Sequence, residues 1–294
     1  MLTGEYVVLD GATALSLPTK LGQDLIIEEG SEQQIVWASF DSDGRIWFED
    51  TIPFDAIANK DYVQKSDNVR NTLIEILHEA YLLNPDFIER SVGYKISTNL
   101  SFPKFWGLGT SSTLINNIAQ WLNIDAFILL QNSFGGSGYD IASAQHSTPI
   151  LYRLDQGQPK VTPVTYKPPF VEHLYFVYLN KKQSSKGAIA SYYANKPVNL
   201  SRLIAELDKI TLSVLHEQDL HDFAQHIQRH ENIISEILEM QTVREAFFSD
   251  FDGVIKSLGG WGGDFVLAAS RDNPTQYFID RGFKTVIPYA DLIL

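Results

Sequence analysis

The stretch Phe102-Pro103-Lys104-Phe105-Trp106-Gly107-Leu108-Gly109-Thr110-Ser111-Ser112-Thr113 constrains the fold most, because it joins a β-prone run to a helix through a turn built of Gly, Ser and Thr. Glycine permits backbone angles closed to other residues and lets a ligand approach the main chain. A helix that opens here presents unpaired N–H groups beside hydroxyls, an arrangement suited to phosphate. The helix that follows carries Leu114, Ile115, Ile118 and Trp121. Two familiar nucleotide fingerprints are excluded: no Lys follows the last glycine, as a Walker loop requires, and Ser112 stands where a dinucleotide-binding turn has its third glycine. Taken alone, the loop serves equally well as a capped helix start.

Around this segment the pattern is that of an α+β chain. Glu5–Leu9, Asp24–Glu28, Gln34–Phe40, Arg45–Glu49 and Val92–Leu100 read as short strands separated by Gly, Asp and Ser. A helix is predicted between Asp67 and Leu83, with Val69, Leu73, Ile76, Leu77 and Ala80 on one face and Pro85 as its stop. Helical periodicity runs from Ser111 to Ala144 with a glycine-rich break at Gly135–Gly138. Pro149–Leu154 and Leu174–Leu179 return to strand. Asn199–Phe248 is helical in period, with Leu203, Ile204, Leu207, Ile210, Val214, Phe223, Ile227, Ile234, Ile237 and Leu238 as core candidates. The strand Phe265–Ala269, a helix near Pro274–Arg281 and the strand Thr285–Pro288 close the chain. No repeat, linker or low-complexity tract interrupts it, so a domain boundary is expected in the strand-to-helix region near residue 150, dividing it into 1–150 and 151–294.

With 294 residues and 44% hydrophobic content, the chain can bury a large core in two lobes. No run of about 18 apolar residues appears, and Leu2–Gly11 lacks a basic start and an apolar stretch, so neither a membrane helix nor a signal peptide is read and a cytoplasmic location is expected. The absence of cysteine excludes disulfides, thiolate metal sites and a cysteine nucleophile. A formal charge of −13 opposes nonspecific binding to nucleic acid or an anionic membrane. An anionic ligand therefore needs a local pocket.

Gly107-Leu108-Gly109-Thr110-Ser111 resembles the second motif of the GHMP small-molecule kinases, P-x-G-L-G-S-S-A, with Thr110 for a serine and Ser112 for an alanine. Gly4-Glu5-Tyr6-Val7-Val8-Leu9-Asp10-Gly11 is similar to the family's first motif, G-E-H-x-V-x-x-G, with Tyr6 for His. Gly259-Gly260-Trp261-Gly262-Gly263-Asp264 is similar to the third, G-A-G-G-G-D, with Trp261 for a glycine. The three matches occur in the family's order and span residues 4–264. A fourth segment, Gly135-Gly136-Ser137-Gly138-Tyr139-Asp140-Ile141-Ala142-Ser143-Ala144, is similar to the G-S-G-x-D-x-A-S-A block of phosphomevalonate kinases, and its GYDIA string resembles that of a bacterial GHMP branch.

The resemblance implies a two-lobed fold, with an N-terminal nucleotide-binding lobe like ribosomal protein S5 and a C-terminal ferredoxin-like lobe for the acceptor. It implies an ATP-dependent kinase acting on mevalonate or phosphomevalonate, with a sugar or homoserine as other acceptors, or a catalytically silent nucleotide- or metabolite-binding protein of the same fold. ATP and Mg²⁺ are the implied cofactors. Gly107, Leu108, Gly109, Thr110, Ser111 and Ser112 would hold the triphosphate, and Ser111 would touch Mg²⁺. Asp140 would orient or deprotonate the acceptor hydroxyl; as a bare residue it also reads as a helix N-cap. Glu5, Tyr6, Ser137, Gly138, Gly259, Gly260, Gly262 and Gly263 would line the acceptor side.

Lys182-Gln183-Ser184-Ser185-Lys186 falls where related kinases carry an S-x-S-T or R-S-T-K segment before a helix; its hydroxyls and lysines are suited to the acceptor's anionic group, which assigns Ser184, Ser185 and Lys186, and a solvated basic turn is the other reading. The implied partner is a small anionic acceptor, with no nucleic acid and no membrane, and a homodimer is the assembly considered. The chain departs from the family twice. Leu129 occupies the place of a Mg²⁺-binding Glu, with no Glu between Ser111 and Asp140, and Met1 stands three residues before Gly4, where relatives carry an upstream Lys. The expectation is a longer natural form or a poor kinase, with the edge of a strand over Thr3–Leu9 frayed. His226 and His230, four apart on a helix, admit a shared metal, but without an H-E-x-x-H pattern they read as surface residues. His146, six residues after Asp140, reads as a substrate-orienting group or as a polar strand cap.

Overall fold

The computed structural model of this chain describes residues 1–61, 68–181 and 185–294, the side chains of residues 185 and 186 excepted. Its strands, numbered in chain order, are β1 (Ala14–Ser16), β2 (Gln23–Glu29), β3 (Gln34–Phe40), β4 (Ile46–Pro53), β5 (Tyr94–Leu100), β6 (Ile150–Asp155), β7 (Gln158–Pro163), β8 (Leu174–Tyr178), β9 (Val254–Leu258), β10 (Phe265–Ala269) and β11 (Val286–Pro288). The helices are α1 (Phe54–Ala58), α2 (Val69–Leu83), α3 (Asp86–Glu89), α4 (Thr110–Leu122), α5 (Ala126–Ser133), α6 (Tyr139–Ala144), α7 (Ser185–Ala194), α8 (Leu200–His216), α9 (Leu220–Leu238), α10 (Val243–Phe247), α11 (Thr275–Asp280) and α12 (Tyr289–Leu292). This is the α+β class read from the sequence. No helix among the described residues is long and apolar enough to cross a membrane.

Two compact units result. One comprises Met1–Lys20, Phe105–Leu108 and His146–Leu294, the other Leu21–Lys104 and Gly109–Gln145. In the second unit the strand order is β2-β5-β3-β4, with β3 parallel to β5 and the other pairs antiparallel. Alternation along β3 buries Ile35, Trp37 and Ser39 and leaves Val36 exposed, as a half-covered sheet requires. The covered face packs on Leu73, Ile74, Ile76, Leu77 and Ala80 of α2, Ile115 and Ile118 of α4, and Leu129 and Leu130 of α5. Val69, expected on that face, is exposed at the first turn of α2, where Asn68 caps the helix by accepting from the Asn71 N–H.

The first unit holds a small sheet, β1-β6-β7, and an antiparallel sheet ordered β11-β8-β10-β9. β6 and β7 form a hairpin through Gln156 and Gly157, both at positive φ, so β7 escapes a reading based on hydrophobic alternation alone. Val177, Ile255, Val266, Ala268, Phe248 and Phe278 centre its core. The segment Asn199–Phe248, expected to be helical in period, forms three helices. Asp219 ends the first break by accepting from the N–H groups of His221 and Asp222, and a Thr242–Glu245 capping box opens α10. Asp125 likewise starts α5 after a break at the left-handed Asn123, where unbroken helix was expected.

The segment Glu5–Leu9 is not a strand. Tyr6 adopts φ 62° and Val7–Asp10 forms a 3₁₀ turn, closed by contacts from the Gly11 N–H to Val7 and Val8 carbonyls. Nor is the start of the chain frayed: Leu2 and Thr3 are buried, the Leu2 N–H donates to the Leu15 carbonyl at 2.7 Å, and Thr3 bridges Leu15.

Candidate functional site

In the second unit, α4 opens with Gly109 as its N-cap in the left-handed region, φ 79°, and no side chain caps its first N–H groups. Thr113 turns its hydroxyl back to the carbonyls of Gly109 and Thr110 and donates to Gln23 Oε1 at 2.8 Å, which pins the first turn to β2. The hydroxyls of Thr110, Ser111 and Ser112 make no hydrogen bond among the described residues, and Ser111 is exposed. Uncapped N–H groups at the positive end of a helix dipole, with free hydroxyls beside them, are what an anion needs.

Asp140 lies next to this start. A Cβ built on Gly109 would stand 3.9 Å from Asp140 Oδ1, in ordinary van der Waals contact with the carboxylate. Asp140 is not a cap: Gly138, at φ 78°, is the N-cap of α6, and Asp140 sits in its first turn without a capping bond. Surrounding protein pushes its carboxyl above the ordinary range although the residue keeps partial exposure, and a bond from Tyr139 works the other way. Ser137 and Gly138 lead into α6, and the turn before them is held by the Gln131 side-chain amide, which donates to the Gly136 carbonyl at 2.7 Å.

In the first unit, residues Phe105–Leu108 are anchored by aromatic packing. The Trp106 ring meets Phe265 edge-on at 5.3 Å and Tyr178 at 6.0 Å, and the Tyr178 hydroxyl donates to the Phe105 carbonyl at 3.0 Å. Gly107, at φ 70°, abuts Asp264: a Cβ there would fall 2.4 Å from the Asp264 Cγ. Asp264 is buried in the left-handed region at φ 52°, its N–H donating to the Lys181 carbonyl at 2.7 Å. It closes the β9–β10 loop, in which the Gly263 N–H donates to the Gly260 carbonyl and the Gly260 N–H points at Asp264 Oδ2. The second and third glycine motifs thus touch through Gly107 and Asp264.

The first motif reaches the third through Tyr6, whose hydroxyl accepts from the Trp261 N–H at 3.1 Å. Burial, then the neighbouring Glu5 charge, raises the Tyr6 phenol and keeps it neutral. Glu5 faces inward, where its Oε1 lies 2.6 Å from the Nζ of the fully buried Lys256. Burial pushes the Glu5 carboxyl up, and the Lys256 charge with its hydrogen bond leads the opposing causes, so its net direction is down. His230, expected at the surface, has 0% exposure; its Nε2 accepts from the Gly4 N–H at 2.8 Å and lies 3.4 Å from Glu5 Oε2. Burial, reinforced by Lys256, depresses the imidazole from 6.5 to about 3, so the ring is neutral with its proton on Nδ1. Glu231, also buried, accepts from the Ser257 N–H and hydroxyl, and burial raises its carboxyl.

His226 stands half-exposed beside Glu217, and no group of metal-ligating side chains occurs among the described residues. His146 lies between α6 and β6, half-buried. Lys182, Gln183 and Ser184 lie outside the described residues, and Ser185 and Lys186 open α7 with their side chains outside the description. Leu129, at the place of the family's metal-binding Glu, has 0% exposure and belongs to the apolar core. Sequence reading missed Lys256, His230, Glu231 and the contact of Asp264 with Gly107. One signal was available: His230 falls on the stripe Phe223, Ile227, His230, Ile234 of α9, spaced as a buried helix face is.

Among solved structures, the chain is similar to Streptococcus pneumoniae phosphomevalonate kinase in complex with phosphomevalonate and AMPPNP, at 17% identity and a TM-score of 0.67 over 100% of this chain and 95% of that one. It is also similar to L. major mevalonate kinase in complex with R-mevalonate, at 20% identity and a TM-score of 0.64 over 100% and 91% of the two chains. Lactococcus lactis galactokinase complexed with galactose matches at 12% identity, with a TM-score of 0.66 over 95% and 85%. The fold is therefore that of the GHMP kinases, the class the motifs resemble. No protein-family model matches the sequence, and no curated protein matches it.

Proposed function

We propose that this chain is an ATP-dependent small-molecule kinase that transfers the γ-phosphoryl group to mevalonate or phosphomevalonate. The observation that carries the reading is the uncapped start of α4 with the Asp140 carboxylate beside Gly109. Phosphoryl transfer depends on positioning and on neutralising charge over the nonbridging oxygens, and this arrangement offers both an anion cradle and a proton acceptor. ATP with Mg²⁺ would supply the phosphoryl group and charge neutralisation. Backbone N–H groups over Gly107–Ser112 hold the triphosphate, and the exposed Ser111 hydroxyl is the protein ligand offered to the metal.

Asp140 takes the proton from the acceptor hydroxyl, a role its raised carboxyl suits because a stronger base is the better acceptor. If the acceptor already bears phosphate, Asp140 completes the polar site instead. Gly259–Gly263 lets the backbone come close to bound phosphate. The choice between mevalonate and phosphomevalonate rests on the Gly135–Ala144 block and on the likeness to kinases of both kinds.

The test is a Mg·ATP turnover assay against mevalonate, phosphomevalonate, galactose and homoserine. Turnover of one of the first two supports the full reading, and turnover of galactose or homoserine alone moves the substrate while keeping the reaction. Binding of AMPPNP with no turnover of any acceptor would show a silent nucleotide-binding protein and overturn it.

A further inference from the structure

Three buried side-chain atoms close to the first motif have no hydrogen-bond partner among the described residues: Glu5 Oε2, His230 Nδ1 and Glu231 Oε2. Each such atom costs a fold on the order of 1–3 kcal/mol. A buried ion pair is often matched or bettered by apolar residues of the same volume, so stability alone does not explain this cluster. The adjoining backbone is strained as well. Tyr6 holds φ 62° and ψ −51°, a region that non-glycine residues rarely enter and that persists only where the surroundings enforce it.

Both sides of Tyr6 are held. Before it, the Gly4 N–H is fixed by His230 Nε2 at 2.8 Å, and the Glu5 carboxylate is fixed by Lys256 Nζ, which also donates to the Ser257 carbonyl at 2.9 Å. Beyond it, the Tyr6 hydroxyl takes the Trp261 N–H at 3.1 Å, inside the loop that Asp264 closes against Gly107. Trp261 is tied a second time, through its indole N–H to the Gln241 carbonyl at 2.9 Å.

We propose that His230, Glu5 and Lys256 form a buried positioning cluster which, through Tyr6 and the Gly259–Asp264 loop, sets the conformation of the phosphate loop at Gly107. The three act through the strained turn they enforce. Glu5 is thereby a positioning residue, since its carboxylate is committed to Lys256. The link to nucleotide rests on the kinase reading above, whereas the link from His230 to Trp261 does not.

The experiment compares the parent chain with His230→Leu, His230→Gln and Tyr6→Phe. Amide hydrogen exchange across Gly259–Asp264 and calorimetric titration with Mg·AMPPNP are both read well below the melting temperature. Loss of one buried hydrogen bond accelerates exchange of the Trp261 amide about fivefold. His230→Leu and Tyr6→Phe should show this acceleration and a weakened AMPPNP affinity, while His230→Gln, which can still accept from the Gly4 N–H, should stay near the parent in both. Tyr6→Phe keeps the test alive if His230→Leu does not fold. Unchanged Trp261 exchange in either folded variant overturns the relay. Accelerated exchange with unaltered AMPPNP affinity overturns its extension to Gly107. A parent that binds no AMPPNP yet shows the exchange response sinks the kinase reading and leaves the relay to Trp261 standing.

Discussion

The neutral, buried His230 makes stability fall in mild acid, and His230→Gln isolates the effect. The folded-state value is depressed from 6.5 to about 3. Above 6.5 both folded and unfolded chains carry a neutral ring. Below it the unfolded chain binds a proton that the fold excludes, so stability drops as pH falls and keeps dropping until the folded value is reached. Each unit is worth about 1.36 kcal/mol, so moving from neutrality to about pH 5 removes about 2 kcal/mol through this residue alone. No correction for solvent screening applies, because the side chain has 0% exposure.

The groups facing His230 and its partners titrate too. Glu5, held low beside Lys256, loses its contribution as pH falls through its own folded value, whereas Glu231, held high by burial, favours acid. Both terms remain in the variant and cancel in the comparison. Urea unfolding at about pH 7.5 and about pH 5 should show the parent losing about 2 kcal/mol more than His230→Gln across that interval. Equal losses in the two proteins would refute a neutral buried imidazole and, with it, the assigned Gly4 bond.

Asp140→Asn should cut turnover about a hundredfold or more with nearly unchanged AMPPNP affinity, as removal of a general base does; steady-state kinetics beside calorimetry check it, and ordinary turnover would return Asp140 to a structural role. Gly109→Asp should abolish nucleotide binding, because the new carboxylate would stand at a left-handed position within reach of Asp140 and repel phosphate; parent-like calorimetry would show that the loop is misassigned. Lys256→Met leaves Glu5 buried without its cation and should cost about 3–5 kcal/mol in thermal or urea unfolding. Adding Glu5→Gln should recover much of that loss, and a folded, undiminished single variant would show that the pair carries no charge.

Elements whose signal is local were legible. β3 over Gln34–Phe40 and β10 over Phe265–Ala269 emerge at the expected residues, because alternation or a continuous apolar run marks a strand by itself. Helix breaks at Asp125, Asp219 and Thr242 were written in the sequence as N-cap residues, yet apolar periodicity masked them. The glycine turns at Gly107, Gly109 and Gly138 were legible because positions at positive φ favour glycine. What the sequence could not show is pairing across distance. Glu5 and Lys256 stand 251 positions apart, and Gly4 and His230 stand 226 apart. Val254-Ile255-Lys256-Ser257-Leu258 did carry a hint, since a lysine inside an apolar strand must find a buried counter-charge. Glu5–Leu9 was misread as strand because β-prone residues there are overridden by the turn that His230 and Trp261 enforce.

Leu129 bears on how a metal could be held. Burying a carboxylate at that place in α5, against the apolar core of its unit, would cost several kcal/mol unless a cation paired it, and Leu there contributes packing instead. Under the proposed reading, the exposed Ser111 hydroxyl at the start of α4 is the protein ligand proposed for the metal among the described residues. One hydroxyl is a weak site for a free ion. Mg²⁺ retains several waters and takes phosphate oxygens readily, so it would arrive as Mg·ATP and owe its place to the nucleotide. Under that reading, the strength of the phosphate cradle at the start of α4 matters more in this chain than a carboxylate on α5 could.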